Sequence, residues 1–271
     1  MEFTEKKVAK NLEVQFTLFS GYYNSFPVPQ IPFVHPIHAG RALYQDFGIE
    51  GDNTGDNISE LNQNFVELTA AYYIWKNYKK ETIPFWGLCH YRRYPTLHLS
   101  WLPFKKVYHL KATEDNFKKV LTPSLQNFIS KKLAQGYIIL PSPNRMYRLK
   151  KWSVKQEYFK AHDGVAWLLT EAAINKLYPS YNESFKKFGK SLSVSYYNML
   201  IADWNFWNDY LTFLFDILFE LRKDYKIPED ENQRRVFGFM SERLLNTFVL
   251  HRRIHNKLKV HYMPIAFFYN K

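Results

Sequence analysis

The sequence contains a single cysteine, Cys89, among its 271 residues. One cysteine excludes an intramolecular disulfide framework and a cysteine-rich zinc site. The most apolar stretch, residues 211–221, is interrupted by Asp216 and Glu220. A membrane-spanning helix needs about 20 apolar residues, so none is expected. The first residues contain no apolar segment typical of a signal peptide, which together with the single cysteine predicts a cytoplasmic protein.

Several motifs that mark specific chemistries are absent. The sequence has no Gly-x-x-x-x-Gly-Lys-Ser/Thr phosphate loop, no Gly-x-Gly-x-x-Gly dinucleotide motif and no Gly-x-Ser-x-Gly nucleophile elbow. His-Glu-x-x-His is missing, and so is the Asp-x-Asp pair that commonly binds a metal–diphosphate complex. Because no zinc-finger or basic-zipper spacing occurs either, nucleic acid is not the expected partner.

Aromatic residues and positive charge are abundant instead. Tyr, Phe and Trp make up 18% of the residues, and 37 Lys and Arg against 25 Asp and Glu give a formal net charge of +12. A strongly basic protein suits phosphate-bearing small substrates or an anionic membrane surface. The hydrophobic content of 46% predicts a globular protein with a sizeable core.

The hydrophobic pattern alternates between strand-like and helix-like segments. Apolar runs predict strands at residues 14–19, 85–89, 137–140 and 200–202. Helical spacing predicts helices at residues 62–80, 117–136, 163–178, 204–223 and 232–253, and loops are expected at residues 27–36 and 52–59. This alternation predicts an α/β fold. Ligands bind such sheets beyond the carboxyl ends of the strands, so residues 20–21, 90–94 and 141–142 are expected to line one crevice.

A polar loop at residues 52–59 reads Asp-Asn-Thr-Gly-Asp-Asn-Ile-Ser. Carboxylate and amide side chains here suit the hydroxyls of a sugar or ribose. In the alternative interpretation, they bond their own backbone in a turn, and Asn57 or Ser59 caps the next helix.

A second constellation, His-Tyr-Arg-Arg-Tyr at residues 90–94, follows a strand. The guanidinium groups of Arg92 and Arg93 match phosphate oxygens, and Tyr91 and Tyr94 can stack on a base or sugar. The alternative is that the arginines form structural salt bridges with one of three carboxylates: Asp52, Asp56 or Glu67.

Three residues are candidates for acid–base chemistry. The adjacent pair His162 and Asp163 can supply a base, although Asp163 can equally cap a surface helix. Glu242 lies amid helical apolar spacing at residues 238–244 and is either a catalytic carboxylate or a structural ion-pair partner of Arg243.

These segments resemble a bacterial glycosyltransferase family of capsule, lipopolysaccharide and exopolysaccharide loci, long described as a domain of unknown function. The resemblance spans nearly the whole chain from about residue 14, and it is carried by residues 52–59, 62, 67–69, 75–77, 87–94, 197–199 and 238–244. One departure follows the first strand, where a His-Lys pair is expected and Ser20-Gly21-Tyr22 stands. If that pair contacts the nucleotide, Tyr22 or Tyr23 stacks on the base here.

The resemblance implies a GT-A-like α/β fold in a single domain over residues 1–271. A nucleotide-sugar half would cover residues 12–145, and a helical acceptor half would cover residues 146–271. It also implies a hexosyltransferase with a UDP-sugar donor, UDP-galactofuranose or UDP-galactose, and a lipid-linked or oligosaccharide acceptor. No resident cofactor or metal is expected.

We therefore expect an inverting transfer in which Arg92 and Arg93, with His90, neutralise the departing diphosphate. One of three residues takes the acceptor proton: His162, Asp163 or Glu242. The other predicted substrate-binding residues are Asp52, Asn53, Asp56, Asn57, Glu67, Tyr91, Tyr94, Asn198 and Arg243.

Two alternative functions remain open, and one segment is expected to contact the membrane. The first rival is a metal-dependent transferase with Asp52, Asp56 and His90 as ligands, and the second is a non-catalytic glycan- or nucleotide-binding protein. Residues 251–259, which are rich in Arg, Lys and His, are expected to dock at the inner face of the membrane.

Overall fold

The structure is a computed structural model that describes residues 14–100, 105–145 and 152–270. Its strands are β1 (Thr17–Tyr22), β2 (Val34–His38), β3 (Phe85–His90), β4 (Arg93–Pro95), β5 (Val107–Lys111), β6 (Tyr137–Pro141), β7 (Asn144–Arg145), β8 (Ser193–Val194), β9 (Leu200–Asp203), β10 (Lys259–Met263) and β11 (Ile265–Tyr269). Its α-helices are α1 (Asn62–Phe65), α2 (Leu68–Asn77), α3 (Glu114–Val120), α4 (Pro123–Ala134), α5 (Val154–Ala161), α6 (Gly164–Leu177), α7 (Asn182–Gly189), α8 (Trp204–Asp224) and α9 (Val236–Asn256). The expected boundary between the two halves, near residue 146, lies outside the described residues.

The main sheet brings several strand ends to one edge. Strand β1 lies between β2 and β3 and runs parallel to both, with Gly21 opposite His90. Strand β9 pairs with β3 in the antiparallel direction, so its amino-terminal end reaches that same edge. Beyond β9 lie β6 and β10, and a short turn at the end of β3 leads through β4 to β11 and β5. The carboxyl ends of β1, β2 and β3 therefore meet the start of β9.

Helices cover both faces of the sheet. Successive side chains of a strand point to opposite faces, and because both faces are apolar here, both must be buried against helices. On β1, Phe19 belongs to one hydrophobic core together with side chains of α2, α6, α8 and α9. Its neighbour Leu18 belongs to a second core with side chains of α3 and α4. Gly87 of β3 leaves room between the strands, since a Cβ there would lie 2.7 Å from Ile201 and 2.9 Å from Leu18.

A stacked tryptophan pair attaches the long helix α8 to the central strand. The rings of Trp86 on β3 and Trp207 on α8 lie 3.9 Å apart at an interplanar angle of 10°. The indole N–H of Trp207 also donates to the Trp86 carbonyl at 2.8 Å. Within the described residues, no helix is both long enough and apolar enough to cross a membrane.

Two predicted helices are each divided in the structure. The predicted helix 62–80 breaks at Val66, which separates α1 from α2 and has φ 47° and ψ −127°. The predicted helix 117–136 is two helices, because Pro123 has no N–H to continue the first one. Pro123 instead starts α4, where the Thr122 hydroxyl caps the Leu125 N–H at 3.1 Å.

Candidate active site

A cleft of about 590 Å³ opens where β1, β2 and β3 end. Its wall is formed by five chain segments: Gly21–Tyr23, the loop after β2 with Ala39 and Tyr44, α1 and its junction with α2 from Asn62 to Glu67, the β3–β4 turn from His90 to Arg93, and the segment preceding α9. In α/β sheets, ligands usually bind at the edge formed by the carboxyl ends of the strands. Two of the predicted segments, 20–21 and 90–94, contribute residues to this cleft, but residues 141–142 do not line it.

Arg92 and Arg93 face the cleft without carboxylate partners. The Arg92 guanidinium lies 5.0 Å from the ring centre of Tyr91, and that of Arg93 lies 4.6 Å from the ring centre of Tyr197. Among the described residues, neither arginine has an Asp or Glu oxygen within 4.0 Å. Burial lowers the pKa of Arg93, yet a guanidinium stays charged in proteins. Two unpaired guanidinium groups form a binding site for an anion.

A second arginine pair lines the same cleft and was missed by the sequence interpretation. Arg234 and Arg235 precede α9, with Arg234 3.8 Å from the highly exposed Glu231 and Arg235 5.6 Å from the ring centre of Phe239. The sequence contains two further pairs of adjacent arginines, at 234–235 and 252–253, and both lie within one predicted helix, so adjacency alone does not identify the pair that lines the cleft. The cleft thus carries positive charge from two segments more than 140 residues apart.

The tyrosines of this region divide between the cleft and the core. Tyr91 lines the cleft, and its hydroxyl donates to the Tyr23 hydroxyl at 3.0 Å. Tyr94 is fully buried and bonds Ser20 and Tyr22, which corrects its predicted place at the substrate. Both residues expected to stack on a base line the cleft, but Tyr22 is fully buried, whereas Tyr23 is 46% exposed.

Glu67 and His90 line the cleft and form a cluster with Asn198 and Tyr197, to which they are hydrogen-bonded. The Asn198 amide donates to Glu67 Oε1 at 2.7 Å, and His90 Nε2 lies 3.7 Å from the same oxygen. His90 Nε2 also lies 2.6 Å from the Tyr197 carbonyl, which can only accept, so this nitrogen carries a proton. Burial lowers the pKa of His90. The histidine is therefore neutral at pH 7 and donates through Nε2.

Glu242 and Arg243 support the cluster from behind and do not line the cleft. Glu242 Oε1 accepts the Tyr197 N–H at 2.7 Å, and its other oxygen lies 2.7 Å from Arg243. Arg243 is 1% exposed and also bonds Glu157 at 3.1 Å. Burial raises the pKa of Glu242 to about 7. The structure thus gives Arg243 a structural ion pair in place of the predicted substrate contact.

The other two predicted bases also lie outside the cleft. Asp163 caps α6 by accepting the Val165 N–H at 2.9 Å, and it accepts the Tyr225 hydroxyl at 3.0 Å. His162 stacks on Phe239 with ring centres 4.1 Å apart, and burial lowers its pKa to about 4. These contacts support the alternative that Asp163 starts a helix.

The loop at residues 52–59 stabilises the fold beside the cleft. Asp52 is fully buried and accepts the Gly40 and Arg41 N–H groups at 2.9 and 3.1 Å, together with the Ser59 hydroxyl. Asn57 bonds the loop backbone, Asp56 bonds Tyr72, and Asn53 is exposed. None of these four predicted hydroxyl ligands lines the cleft. The contacts therefore agree with the alternative interpretation, in which the polar side chains of this loop bond nearby backbone groups in a turn.

Residues 18–253 match the model of the family DUF4422, a domain of unknown function. The chain belongs to this family. This DUF4422 chain is also similar to the apo structure of the WbbM bifunctional glycosyltransferase, with a TM-score of 0.85, 24% sequence identity and coverage of 94% of this chain. It spans 46% of that chain, and no curated protein matches it. The predicted α/β glycosyltransferase fold is confirmed.

The three residues of the rival metal site, Asp52, Asp56 and His90, each make other contacts in the structure. The carboxylate of Asp52 is occupied by backbone N–H groups, and His90 lies in a separate cluster with Glu67. In the ranges that the structure describes, no group of three or more His, Cys, Asp or Glu side chains is arranged to hold a metal ion.

Proposed function

We propose that this DUF4422 chain is a glycosyltransferase that moves a hexosyl group from a UDP-sugar to a growing capsule, lipopolysaccharide or exopolysaccharide glycan. UDP-galactofuranose and UDP-galactose are the donors to test first. The observation that carries the proposal is the pair of unpaired guanidinium groups, Arg92 and Arg93, at the strand edge of a glycosyltransferase fold. A diphosphate supplies the negative charge that these side chains lack in the protein itself.

In this mechanism, Arg92 and Arg93 stabilise the departing UDP without a metal ion. Negative charge grows on the phosphate oxygen while the sugar becomes oxocarbenium-like, and fixed cations in a cleft stabilise that charge. Arg234 and Arg235 add positive charge along the same cleft. Tyr23 supplies an exposed ring for the uracil base. The transfer inverts the anomeric centre, so a carboxylate takes the acceptor proton.

The test is UDP release by the purified protein across a panel of UDP-sugars, with and without chelator. Release from one donor that survives the chelator supports the arginine-assisted transferase. Release that the chelator abolishes contradicts metal independence and places the diphosphate on a metal ion. If no donor releases UDP while calorimetry detects UDP binding, the chain is a nucleotide- or glycan-binding protein instead.

We also propose that the end of α9 and the residues after it dock on an anionic membrane, where a lipid-linked acceptor would lie. Arg253, Lys257 and Lys259 are exposed there, and Ile254 is 47% exposed among them. An apolar side chain flanked by basic residues suits the boundary of a negatively charged membrane.

The double substitution Arg253→Ala and Lys257→Ala should weaken binding to vesicles that contain phosphatidylglycerol by about 30-fold. Each basic residue near an anionic surface contributes about 1 kcal/mol, so two contribute about 2 kcal/mol. Sedimentation with vesicles measures the effect. The matched control is the substitution of Lys118 and Lys119, which are exposed on α3, by alanine. Equal binding by both double variants would rule out this docking surface.

A further inference from the structure

Three carboxylates line the cleft, and they differ in how firmly the fold holds them: Glu67, Asp230 and Glu231. Glu231 is 91% exposed. Asp230 lies on an exposed turn, where its Oδ1 accepts the N–H groups of Asn232 and Gln233 at 3.0 and 2.8 Å. The Glu67 side chain is 11% exposed and lies beside Gly21 at the end of β1. Of the three, Glu67 is the carboxylate that the fold fixes in the cleft.

The hydrogen bonds of Glu67 leave one oxygen available. Its Oε1 accepts the Asn198 amide at 2.7 Å and lies 3.7 Å from His90 Nε2. Within the described residues, its Oε2 makes no hydrogen bond. Because His90 is neutral and donates to the Tyr197 carbonyl, it does not neutralise the carboxylate. An anchored carboxylate with a free oxygen has the geometry that a proton acceptor requires.

Strained backbone occurs next to Glu67 in the sequence and in the segment that bonds its side chain. Val66, immediately before Glu67, has φ 47°, and Tyr197 and Asn198 have φ 79° and 49°. A positive φ is unfavourable for such residues, above all for β-branched valine. Gly238 packs directly on Val66, since a Cβ at Gly238 would lie 2.3 Å from Val66 Cγ2. Strained residues that the surrounding structure holds in place occur at functional sites.

We propose that Glu67 is the catalytic base of the transfer, which deepens and rests on the proposed function. The acceptor hydroxyl oxygen forms a bond to the anomeric carbon of the donor while its proton passes to Glu67 Oε2. The bond between the anomeric carbon and the phosphate oxygen breaks, and its electron pair leaves with UDP. Asn198 is a positioning residue that holds the carboxylate, and His90 holds the neighbouring Tyr197 carbonyl. Glu67 takes the role that the sequence interpretation assigned to His162, Asp163 or Glu242.

Glu67→Gln tests this role with little change in structure. The glutamine Oε1 can still accept from Asn198, but its amide nitrogen cannot take a proton. We expect kcat for transfer to fall by about 10²- to 10⁴-fold. The KM for the donor, and the Kd for UDP measured by calorimetry, should stay within about two-fold of wild type, as expected when only a transition-state interaction is lost. Glu67→Asp keeps a carboxylate and should retain more activity than Glu67→Gln. The control is Glu60→Gln, an exposed residue seven positions earlier that does not line the cleft.

The separation of kcat from binding gives a readout that a merely structural role would not produce. Glu67→Gln should lower kcat and leave the Kd for UDP unchanged, whereas a damaged fold would weaken UDP binding as well. A variant with unchanged kcat and a raised donor KM would overturn the proposal and make Glu67 a ligand of the donor sugar. If wild type neither binds UDP nor releases it from any donor, the proposed function fails, and this proposal fails with it.

Discussion

Replacing Arg93 by alanine should lower the rate of UDP release from the preferred donor by about 100-fold or more. Arg93 lines the cleft, lies 4.6 Å from the Tyr197 ring centre and has no carboxylate partner among the described residues. Removing one preorganised donor that stabilises developing charge costs about 10²–10³ in kcat. Arg93→Lys keeps the charge but loses the planar fork, so its rate should lie between those of wild type and Arg93→Ala. Steady-state UDP release measures all three.

The matched control is Arg222→Ala, because Arg222 is exposed on α8 and does not line the cleft. Its UDP release should stay within about two-fold of wild type, since surface substitutions away from special features have small effects. Loss of activity in both variants would indicate a general charge effect. Full activity of Arg93→Ala would contradict the role of this arginine in stabilising the leaving group.

The sheet could be predicted from the sequence because its central strands are apolar on both faces. The runs at 14–19, 85–89 and 200–202 became β1, β3 and β9, and the sheet buries such runs between two helical layers. The sequence did not reveal β2, which begins in the last three residues of the Pro-rich stretch predicted as a loop and continues to His38. Its strand character comes from pairing with β1, a tertiary contact that local composition does not encode.

Part of the site could be predicted from the sequence. The end of a strand can be recognised from the local pattern of residues, but the direction in which each side chain points after it cannot. Arg92 and Arg93 follow an apolar strand, and the structure places both in the cleft. Tyr91 and Tyr94 have the same chemistry, yet one lines the cleft and the other is buried in the core. No spacing rule separates them, because the tight turn after β3 reverses the chain between them. Only the folded arrangement of the turn distinguishes the two tyrosines.

The sequence could not show which candidate for acid–base chemistry lies at the cleft. Asp163 and Glu242 look suited to catalysis by residue type, but the first caps a helix and the second bonds Arg243 and the Tyr197 backbone. Each residue also has a distant partner, because Asp163 accepts from Tyr225, 62 positions away, and Glu242 accepts from Tyr197, 45 positions away. Glu67 was predicted to bind substrate, and its distinguishing feature is the strained Val66 that divides the predicted helix. Helical periodicity conceals such a break.

The contacts behind the cleft make the site dependent on helix α9. Arg243 joins Glu157 of α5 to Glu242, and Glu242 accepts the N–H of Tyr197, whose neighbour Asn198 anchors Glu67. The buried Arg243 guanidinium between two carboxylates therefore links α5 and α9 to the Tyr197–Asn198 segment that anchors Glu67. Double-mutant cycles between Arg243 and Glu67 would measure this coupling.

Arg243→Met should lower the free energy of unfolding by about 3–5 kcal/mol at pH 8. Removing one partner of a buried ion pair leaves an uncompensated charge, here on Glu242 and on Glu157. Methionine is similar in length and fills much of the space, so the loss is mainly electrostatic. Urea unfolding measures it, and Arg222→Met, on the exposed face of α8, is the matched control with an expected change within about 0.5 kcal/mol.

The loss of unfolding free energy in Arg243→Met should be smaller at pH 5 than at pH 8, because Glu242 is protonated at the lower pH. Burial raises the pKa of its carboxyl from 4.5 to about 7, so the fold favours the protonated form. A group whose pKa is raised contributes stability that is present below pH 4.5 and is lost as the pH rises through about 7. At pH 5 the carboxyl is mostly neutral, and it then depends less on Arg243. A loss of equal size at both pH values would show that Arg243 acts through packing, with no electrostatic coupling to Glu242.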